Sequence, residues 1–440
     1  MKICIAQINS VVGDLQHNYS LISKAAKKAL DENVSLLITP ELSLTGYPPE
    51  DLLLNNNFLM EVNEKLLLLA KENPTIMIIV GHPLLEGEKL FNAASVIYKG
   101  KVFKKYKKQI LPNYGVFDEK RYFVPGNSSL IFNYKKLTVG VLICEDIWSK
   151  LPIENLIKNN VDLIVCINAS PYEIDKNNHR ITNIQKKIKG SNSKVVYVNT
   201  VGGQDDLLFD GGSFILDPNI GLVLSLPQFK ITNKIVELNS LNKNEVKDSL
   251  GSINILFDGL VLALKDYLQK NSIQKVFLGL SGGIDSAVVL CIAAKACSKK
   301  DIQTIMMPTK FTSKISLDDA RTLAKNIGVK YTIKRIDSLN NKINKIFEKD
   351  FLGYEADTTE ENIQARIRGL LLMTYANKFK GVVLATSNKS ETAVGYATLY
   401  GDMVGGFSVL KDVPKTWVYK LAQFINENEI IIPTRIITRA

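Results

Sequence analysis

The sequence predicts an α/β protein of two domains, and three observations carry that prediction. At 440 residues the chain is longer than one ordinary hydrophobic core accommodates. Its first half alternates short β-branched or leucine-rich runs with helical stretches, the pattern of strands covered by helices. Its second half opens with a strand, a glycine-rich turn and a helix, the unit that begins a doubly wound parallel sheet.

Taken in order, strands are predicted at Ile3 to Ile8, Ser35 to Thr39, Ile76 to Val80, Ala93 to Tyr98, Leu137 to Ile143, Leu163 to Ile167, Val195 to Asn199 and Ser213 to Leu216. Helices fit Asn18 to Asp31, Phe58 to Asn73, Ile153 to Asn159 and His179 to Gly190. From about Ile231 to Gly251 the pattern loosens into a polar, Asn/Lys-rich stretch, and an amphipathic helix from Ile253 to Gln269 follows. The boundary is therefore drawn there, with one domain over residues 1–245 and another over 246–440. The second domain continues with strands at Lys275 to Leu280, Gln303 to Met307 and Lys330 to Ile336, and with helices through Ser298 and over Leu317 to Ile327. No internal repeat or low-complexity segment interrupts it.

Composition excludes several classes. Hydrophobic residues make up 46% and charged residues 22%, as in ordinary globular proteins, and no aliphatic run approaches the length of a bilayer span. The N-terminal segment lacks an apolar stretch with a small-residue cleavage site, so a cytoplasmic protein without a membrane partner is expected. Five scattered cysteines with no CxxC pair support neither a disulfide framework nor a zinc site. The net charge of +11 fits anionic small substrates as well as nucleic acid and decides little. Its densest run, Lys101, Lys104, Lys105, Lys107 and Lys108, reads for the most part as a solvated strand edge or loop.

Chemistry concentrates at two places. Cys144 ends an apolar strand and is followed by Glu145, Asp146, Ile147 and Trp148. A cysteine in an apolar strand is ordinarily an inert small hydrophobe. Here the flanking acids predict that the segment as a whole is not buried. A thiol attacks a carbonyl carbon as thiolate, so it needs a cation beside it and a base to take its proton. Among the three histidines none has a strand-end setting as suggestive as those of Glu41 and Lys108.

Thr39-Pro40-Glu41-Leu42, the segment from Lys108 to Glu119 and Leu142-Ile143-Cys144-Glu145-Asp146-Ile147-Trp148 together resemble the nitrilase superfamily. That resemblance implies a four-layer α-β-β-α sandwich, with Cys144 as nucleophile, Glu41 as general base and Lys108 as the cation that stabilises thiolate and oxyanion. Glu119 is implied as a fourth member that helps hold the substrate. The string Leu111 to Glu119 is similar to the glutaminase domain of the NAD synthetase family, which implies glutamine near Tyr114, Glu119, Ser170 and Lys176.

The second place is Ser281-Gly282-Gly283-Ile284-Asp285-Ser286, directly after the strand that ends in Gly279-Leu280. Two glycines let backbone approach phosphate, two serines add donors and a helix N-terminus supplies oriented N–H groups, so an anion site is expected. No Gly-Lys-Ser/Thr ends the loop, which rules out a Walker motif. It resembles the pyrophosphate loop of the ATP pyrophosphatases, with a Rossmann-like doubly wound sheet, and implies ATP binding by Gly279, Leu280, Ser281, Gly282, Gly283, Ile284, Asp285 and Ser286.

Three later segments, Glu360 to Arg368, Ala385 to Glu391 and the turn-rich Gly401 to Lys415, resemble the NAD synthetase family. The last is expected to be mobile over the site. Carried over, Thr386 joins the loop at ATP, Asn362 and Glu391 contact deamido-NAD, and Asp285 and Glu391 ligate Mg2+. Arg366 and Arg368 read equally well as an exposed helix face.

The resemblance implies one reaction for both domains: glutamine supplies ammonia, and ATP activates the deamido-NAD carboxylate for amidation. A homo-oligomer without a nucleic-acid partner is expected. Alternatives are another glutamine amidotransferase with a pyrophosphate loop, a tRNA-modifying ATP pyrophosphatase, and a remnant that retains only glutaminase activity or nucleotide binding. The family's synthetase domain continues beyond Ile436-Ile437-Thr438-Arg439-Ala440, where this sequence stops inside a predicted strand, so a truncated domain is expected.

Overall fold

The computed structural model describes residues 1–241 and 252–439. Two compact units divide the chain, Met1–Ser252 and Ile253–Ala440. The boundary predicted between residues 245 and 246 lies outside the described residues.

The first unit begins β1 (Lys2–Gln7), α1 (Leu15–Asp31), β2 (Leu36–Ile38), α2 (Asn56–Glu72), β3 (Met77–Glu86), β4 (Lys89–Tyr98) and β5 (Lys101–Lys107). It continues with β6 (Leu130–Tyr134), β7 (Leu137–Ile143), α3 (Glu145–Trp148), α4 (Lys150–Lys158), β8 (Leu163–Asn168), α5 (Lys176–Ile188) and β9 (Lys194–Asn199). It closes with β10 (Val201–Gln204), β11 (Leu207–Asp210), β12 (Phe214–Asp217), β13 (Gly221–Ser225) and β14 (Thr232–Glu237).

These strands make two six-stranded sheets, β14-β1-β2-β3-β4-β5 and β13-β12-β9-β8-β7-β6, while β10 and β11 pair separately. The period of two along each strand decides the layering. Ile3 and Ile5 of β1 pack in one cluster with Val139, Val141 and Val165 of the second sheet. Cys4 and Ala6, on the opposite face, pack with Ile22 and Ala25 of α1 and Leu66 of α2. On the far side of the second sheet, Gly140 leaves room for α4, since a Cβ there would lie 2.8 Å from Leu156 Cδ1. Helix, sheet, sheet and helix form the four-layer sandwich.

Two local readings are refined. Except for Lys108, which follows it and is buried, the lysine run lies on β5, an edge strand, where Lys105 and Lys107 share Glu86 at 3.3 and 2.6 Å. Strands β3 and β4 run to ten residues each, longer than the apolar cores by which they are recognised, because antiparallel pairing carries them through polar Lys89 and Glu86.

The second unit contains α6 (Ser252–Lys270), β15 (Lys275–Gly279), α7 (Ile284–Ala296), β16 (Ile302–Met306), α8 (Lys314–Ile327), β17 (Lys330–Ile333) and α9 (Asp337–Phe347). Then come α10 (Thr358–Phe379), β18 (Gly381–Ala385), α11 (Lys389–Ala393), β19 (Phe407–Ser408), α12 (Lys415–Ile425) and α13 (Thr434–Thr438). Its sheet, β17-β16-β15-β18-β19, is parallel throughout. Phe277 of β15 packs with Ile367 and Leu372 of α10, and α7 and α8 lie against β15 and β16. The chain builds outward from β15 to β17 and then resumes beside β15 with β18. Strand order therefore reverses between β15 and β18, the place where open α/β sheets bind ligands.

One expectation is overturned here. The segment around Ile436, predicted as a strand, is the short helix α13. Arg435 reaches Asp319 at 2.7 Å and Ile436 is buried, so tertiary contacts outweigh the β-branched preference of Ile-Ile-Thr.

Candidate active sites

In the first unit, three strand ends bring two charged groups and a thiol into electrostatic reach of one another. Glu41 follows β2 and Lys108 follows β5, both in the first sheet, whereas Cys144 follows β7 in the second. Lys108 Nζ donates to Glu41 Oε1 and to Glu119 Oε1, each at 2.7 Å, and its side chain is wholly buried. Asn92 Nδ2 donates to Glu41 Oε1 at 2.7 Å and to Glu119 Oε2 at 3.4 Å, and Tyr47 Oη donates to Glu119 Oε1 at 3.0 Å. The other oxygen of Glu41 accepts from the Ala169 amide at 2.9 Å, across the two sheets.

Burial works against the Lys108 charge, but the Glu119 and Glu41 carboxylates outweigh it and hold the ammonium well above the usual lysine range. Burial also raises the Glu119 carboxyl, with Lys108 opposing and Glu41 reinforcing the rise. At Cys144 burial and then Glu41 push the thiol well up, and Lys108 pulls it down. Burial thus favours the thiol over the thiolate at Cys144, so attack by this sulfur would need a base to take its proton. Cys144 sits at φ 44°, a left-handed conformation, on the turn from β7 into α3. This turn projects its side chain from the strand end instead of letting it continue the pleat.

The expectation that the flanking acids keep this segment from being wholly buried holds for Glu145, which is half-buried, and fails for Asp146. Asp146 is fully buried, and its two oxygens accept four hydrogen bonds, which offset the loss of solvent.

The other residues expected near glutamine fall in different settings. Tyr114 is exposed and donates to Glu145 Oε2 at 3.0 Å, beside Cys144 in the chain. Ser170, next to Ala169, is buried; its amide donates to Asn199 Oδ1 and its hydroxyl accepts from Arg180 Nη2 at 3.0 Å. Arg180 is itself buried and paired with Asp210 at 2.8 Å. Lys176, at the start of α5, pairs with Glu173 at 3.0 Å and makes no contact with the buried charges among the described residues. Sequence reasoning missed Asn92, Tyr47, Glu145 and Arg180. Asn92 carried a signal, because a polar residue inside the apolar run Leu90-Phe91-Asn92-Ala93-Ala94 demands a buried partner.

In the second unit the glycine loop leaves β15 and enters α7. Gly282 has φ +81°, and a Cβ there would lie 2.5 Å from the Ser316 carbonyl oxygen, so the turn requires glycine. Ser281 Oγ accepts from the Gly283 amide at 3.2 Å, and Ser286 Oγ donates to the Gly283 carbonyl at 3.0 Å. Leu280 donates to Ile305 O, and Gly279 lies where a Cβ would meet Leu372 at 3.3 Å. Ile284 begins α7, whose N-terminal amides face the loop.

Thr386 follows β18, the strand beside β15, and its side chain makes no hydrogen bond among the described residues. Asp285 accepts from Asn388 Nδ2 at 2.9 Å and pairs with Lys415, which also stands 3.6 Å from Glu391 Oε1. Asn388 and Glu391 cap α11 reciprocally. Asn362 accepts from Thr398 Oγ1 at 2.7 Å and so ties α10 to the loop that follows α11. Arg366 and Arg368 donate to the carbonyls of Leu399 and Met307, each at 3.2 Å, and Arg368 is only partly exposed. The turn-rich Gly401 to Lys415 stretch contains β19 and supplies Lys415, a partner of Asp285 that sequence reasoning did not single out.

The donor set fits a divalent cation in one respect: two carboxylates from different helices converge on one positive atom, Lys415 Nζ. Among the described residues no three acid, histidine or cysteine side chains gather to hold an ion by themselves.

Comparison with known proteins gives a consistent result. The carbon-nitrogen hydrolase family matches residues 2–242, and the NAD synthase family matches residues 256–440. The glutamine-dependent NAD(+) synthetase of Acinetobacter baylyi is 45% identical over 100% of this chain and 82% of its own length. The enzyme of the same name from Aquifex aeolicus is 39% identical over 99% of this chain and 83% of its own. The solved structure of the Acinetobacter baumannii glutamine-dependent NAD+ synthetase in complex with ADP superposes with a TM-score of 0.96 at 43% identity, covering 100% of this chain and 85% of that one.

Proposed function

The chain belongs to the glutamine-dependent NAD synthetases, and on that premise we propose which residues carry each half of the reaction. The enzyme uses ATP and glutamine to amidate deamido-NAD to NAD. In the first unit Cys144 Sγ attacks the glutamine side-chain amide carbon while Glu41 takes the thiol proton. Lys108 stabilises the oxyanion, and the same proton leaves with the departing ammonia. Water then cleaves the thioester with Glu41 as base and releases glutamate. Glu119 holds Lys108 in place, and Tyr114, Ser170 and Lys176 line the amino-acid end. The observation that carries this assignment is the buried Lys108 ammonium held 2.7 Å from two carboxylates, in the electrostatic reach of Cys144.

In the second unit the deamido-NAD carboxylate attacks the α-phosphorus of ATP and expels pyrophosphate; ammonia then displaces AMP from the adenylate. Gly279 to Ser286 and Thr386 hold the ATP phosphates, and Asn362 and Glu391 hold deamido-NAD. Asp285 and Glu391 would hold Mg2+, whose preference for hard oxygen donors their carboxylates meet. When bound, it offsets the charge of the departing pyrophosphate. Ammonia set free in neutral water is mostly protonated and no longer nucleophilic, so the two centres work as one only if it is handed over inside the protein.

Homo-oligomerisation is supported by large apolar side chains exposed in the second unit, among them Leu352 at 84% and Tyr400 at 81%. The surplus positive charge suits three anionic or zwitterionic substrates without a nucleic-acid partner. No helix among the described residues is long and apolar enough to cross a membrane, and the five cysteines are free, as a reducing cytoplasm keeps them.

Cys144→Ala tests the division of labour. Glutamine-driven NAD formation should disappear while ammonium-driven formation persists, and Asp285→Asn should stop both. A folded Cys144→Ala protein that added ammonium fails to rescue would refute the assignment.

A further inference from the structure

The catalytic set of the first unit is split between two sheets. Glu41 and Lys108 hang from the first and Cys144 from the second, so backbone pairing within either sheet cannot fix the distance between cation and sulfur. A tie across the sheets is needed at this depth. Asp146 supplies one. Its Oδ1 accepts from the amides of Gln109 at 3.0 Å and Ile110 at 2.8 Å, the two residues after Lys108. Its Oδ2 accepts from Tyr106 Oη at 2.8 Å, on the strand that leads to Lys108, and from the Ile143 amide at 3.1 Å, the residue before Cys144. One buried carboxylate thus holds residues on both sides of the cation and the residue that precedes the nucleophile.

The helix carrying Asp146 is only four residues long and has little stability of its own. Its far end is secured separately, where Lys187 Nζ donates to the carbonyls of Ile147, Trp148 and Ser149. Asp146 therefore sits on a braced platform.

We infer that Asp146 is a positioning residue for glutamine hydrolysis, setting the register between Lys108 and Cys144 by bonding to the backbone next to each of them, at Gln109 and Ile110 on one side and at Ile143 on the other. The inference rests on the reading of Cys144 as nucleophile. Misplacement of a reacting group by about 1 Å costs on the order of 100-fold in rate. Asp146→Asn keeps an acceptor for Gln109 and Ile110 but turns an N–H2 toward the Ile143 amide and leaves that donor unpaired.

The test measures kcat and KM for glutamine hydrolysis, together with ammonium-driven NAD formation. Asp146→Asn should lower kcat about 100-fold, leave KM within about threefold and spare the ammonium route. Asp162→Asn serves as the comparison, because Asp162 makes a similar carboxylate tie to the Thr138 amide, at 2.7 Å, at the other end of β7. It should leave kcat within about twofold if position rather than general firmness is at stake. Should Asp146→Asn not fold, Tyr106→Phe removes one of the four bonds and should lower kcat about tenfold at unchanged KM. Wild-type kcat in Asp146→Asn or Tyr106→Phe, or an equal loss in Asp162→Asn, would overturn the inference. A Cys144→Ala protein that still hydrolyses glutamine would instead remove the nucleophile reading beneath it.

Discussion

Replacing Lys108 by Met removes a buried ammonium and leaves its surroundings nearly the same size. Glu41 and Glu119, 2% and 5% exposed, would then face each other with Asn92 as their shared donor. Breaking a buried ion pair from one side costs about 3–5 kcal/mol when the orphaned charge stays ionised. The Glu119 carboxyl, already raised by burial with Lys108 opposing the rise, can escape that cost by taking up a proton, so its folded pKa in the variant would lie further above the unfolded range. A group with a raised folded pKa contributes its full stability below the unfolded value and loses it as pH rises through the folded one. The variant should therefore nearly match the wild type at pH ~4 and fall short of it by about 3–5 kcal/mol at pH ~8. Urea titrations followed by Trp148 fluorescence in a Trp417→Phe background would report the first unit, since these are the two tryptophans of the chain. Glutamine hydrolysis should fall about 1000-fold, as expected when a donor to a developing oxyanion is removed. A stability difference independent of pH, or hydrolysis within about tenfold of wild type, would refute the idea that Lys108 is held by these acids for catalysis.

Gly282→Ala should separate the two centres in the opposite sense from Cys144→Ala. A left-handed φ costs an alanine about 1 kcal/mol or more, and its Cβ meets the Ser316 carbonyl oxygen at 2.5 Å, so NAD formation from either nitrogen source should drop at least about tenfold while glutamine hydrolysis persists. His82 is buried and lowered to about 4 by burial, with its ring nitrogens bonded to Pro83 O and Ser95 Oγ. Between pH 6.5 and about 4 the unfolded chain binds the proton that the folded one refuses, so His82 withdraws up to about 3 kcal/mol of stability as pH falls through that window. His82→Gln should flatten the acid limb of a stability-against-pH curve, and an unchanged limb would count against the buried neutral histidine.

Much of both sites was legible wherever the chemistry is local. The turn from an apolar strand into Cys144-Glu145-Asp146 and the loop from Ser281 to Ser286 are each one contiguous stretch, and strand, turn and helix follow from side-chain period and glycine content. Partners set by sheet packing were not legible in the same way. Glu41 and Lys108 are 67 residues apart, and Asp285 and Lys415 are 130 apart. Asp146 was misjudged for the same cause, since its acidity argued for exposure while two of the backbone donors that satisfy it, Gln109 and Ile110, follow a strand of the other sheet.

By itself the sequence determined the alternation of strands and helices, the turn that presents a thiol and the glycine loop between strand and helix, because each depends on neighbours within a few residues. Only the tertiary structure decided that Asn92 and Tyr47 steady the acids around Lys108, that Lys415 bridges Asp285 and Glu391, and that Ile436 lies in a helix. Those outcomes turn on which strands are adjacent and which polar groups find partners when water is excluded, and local propensity carries no information about either.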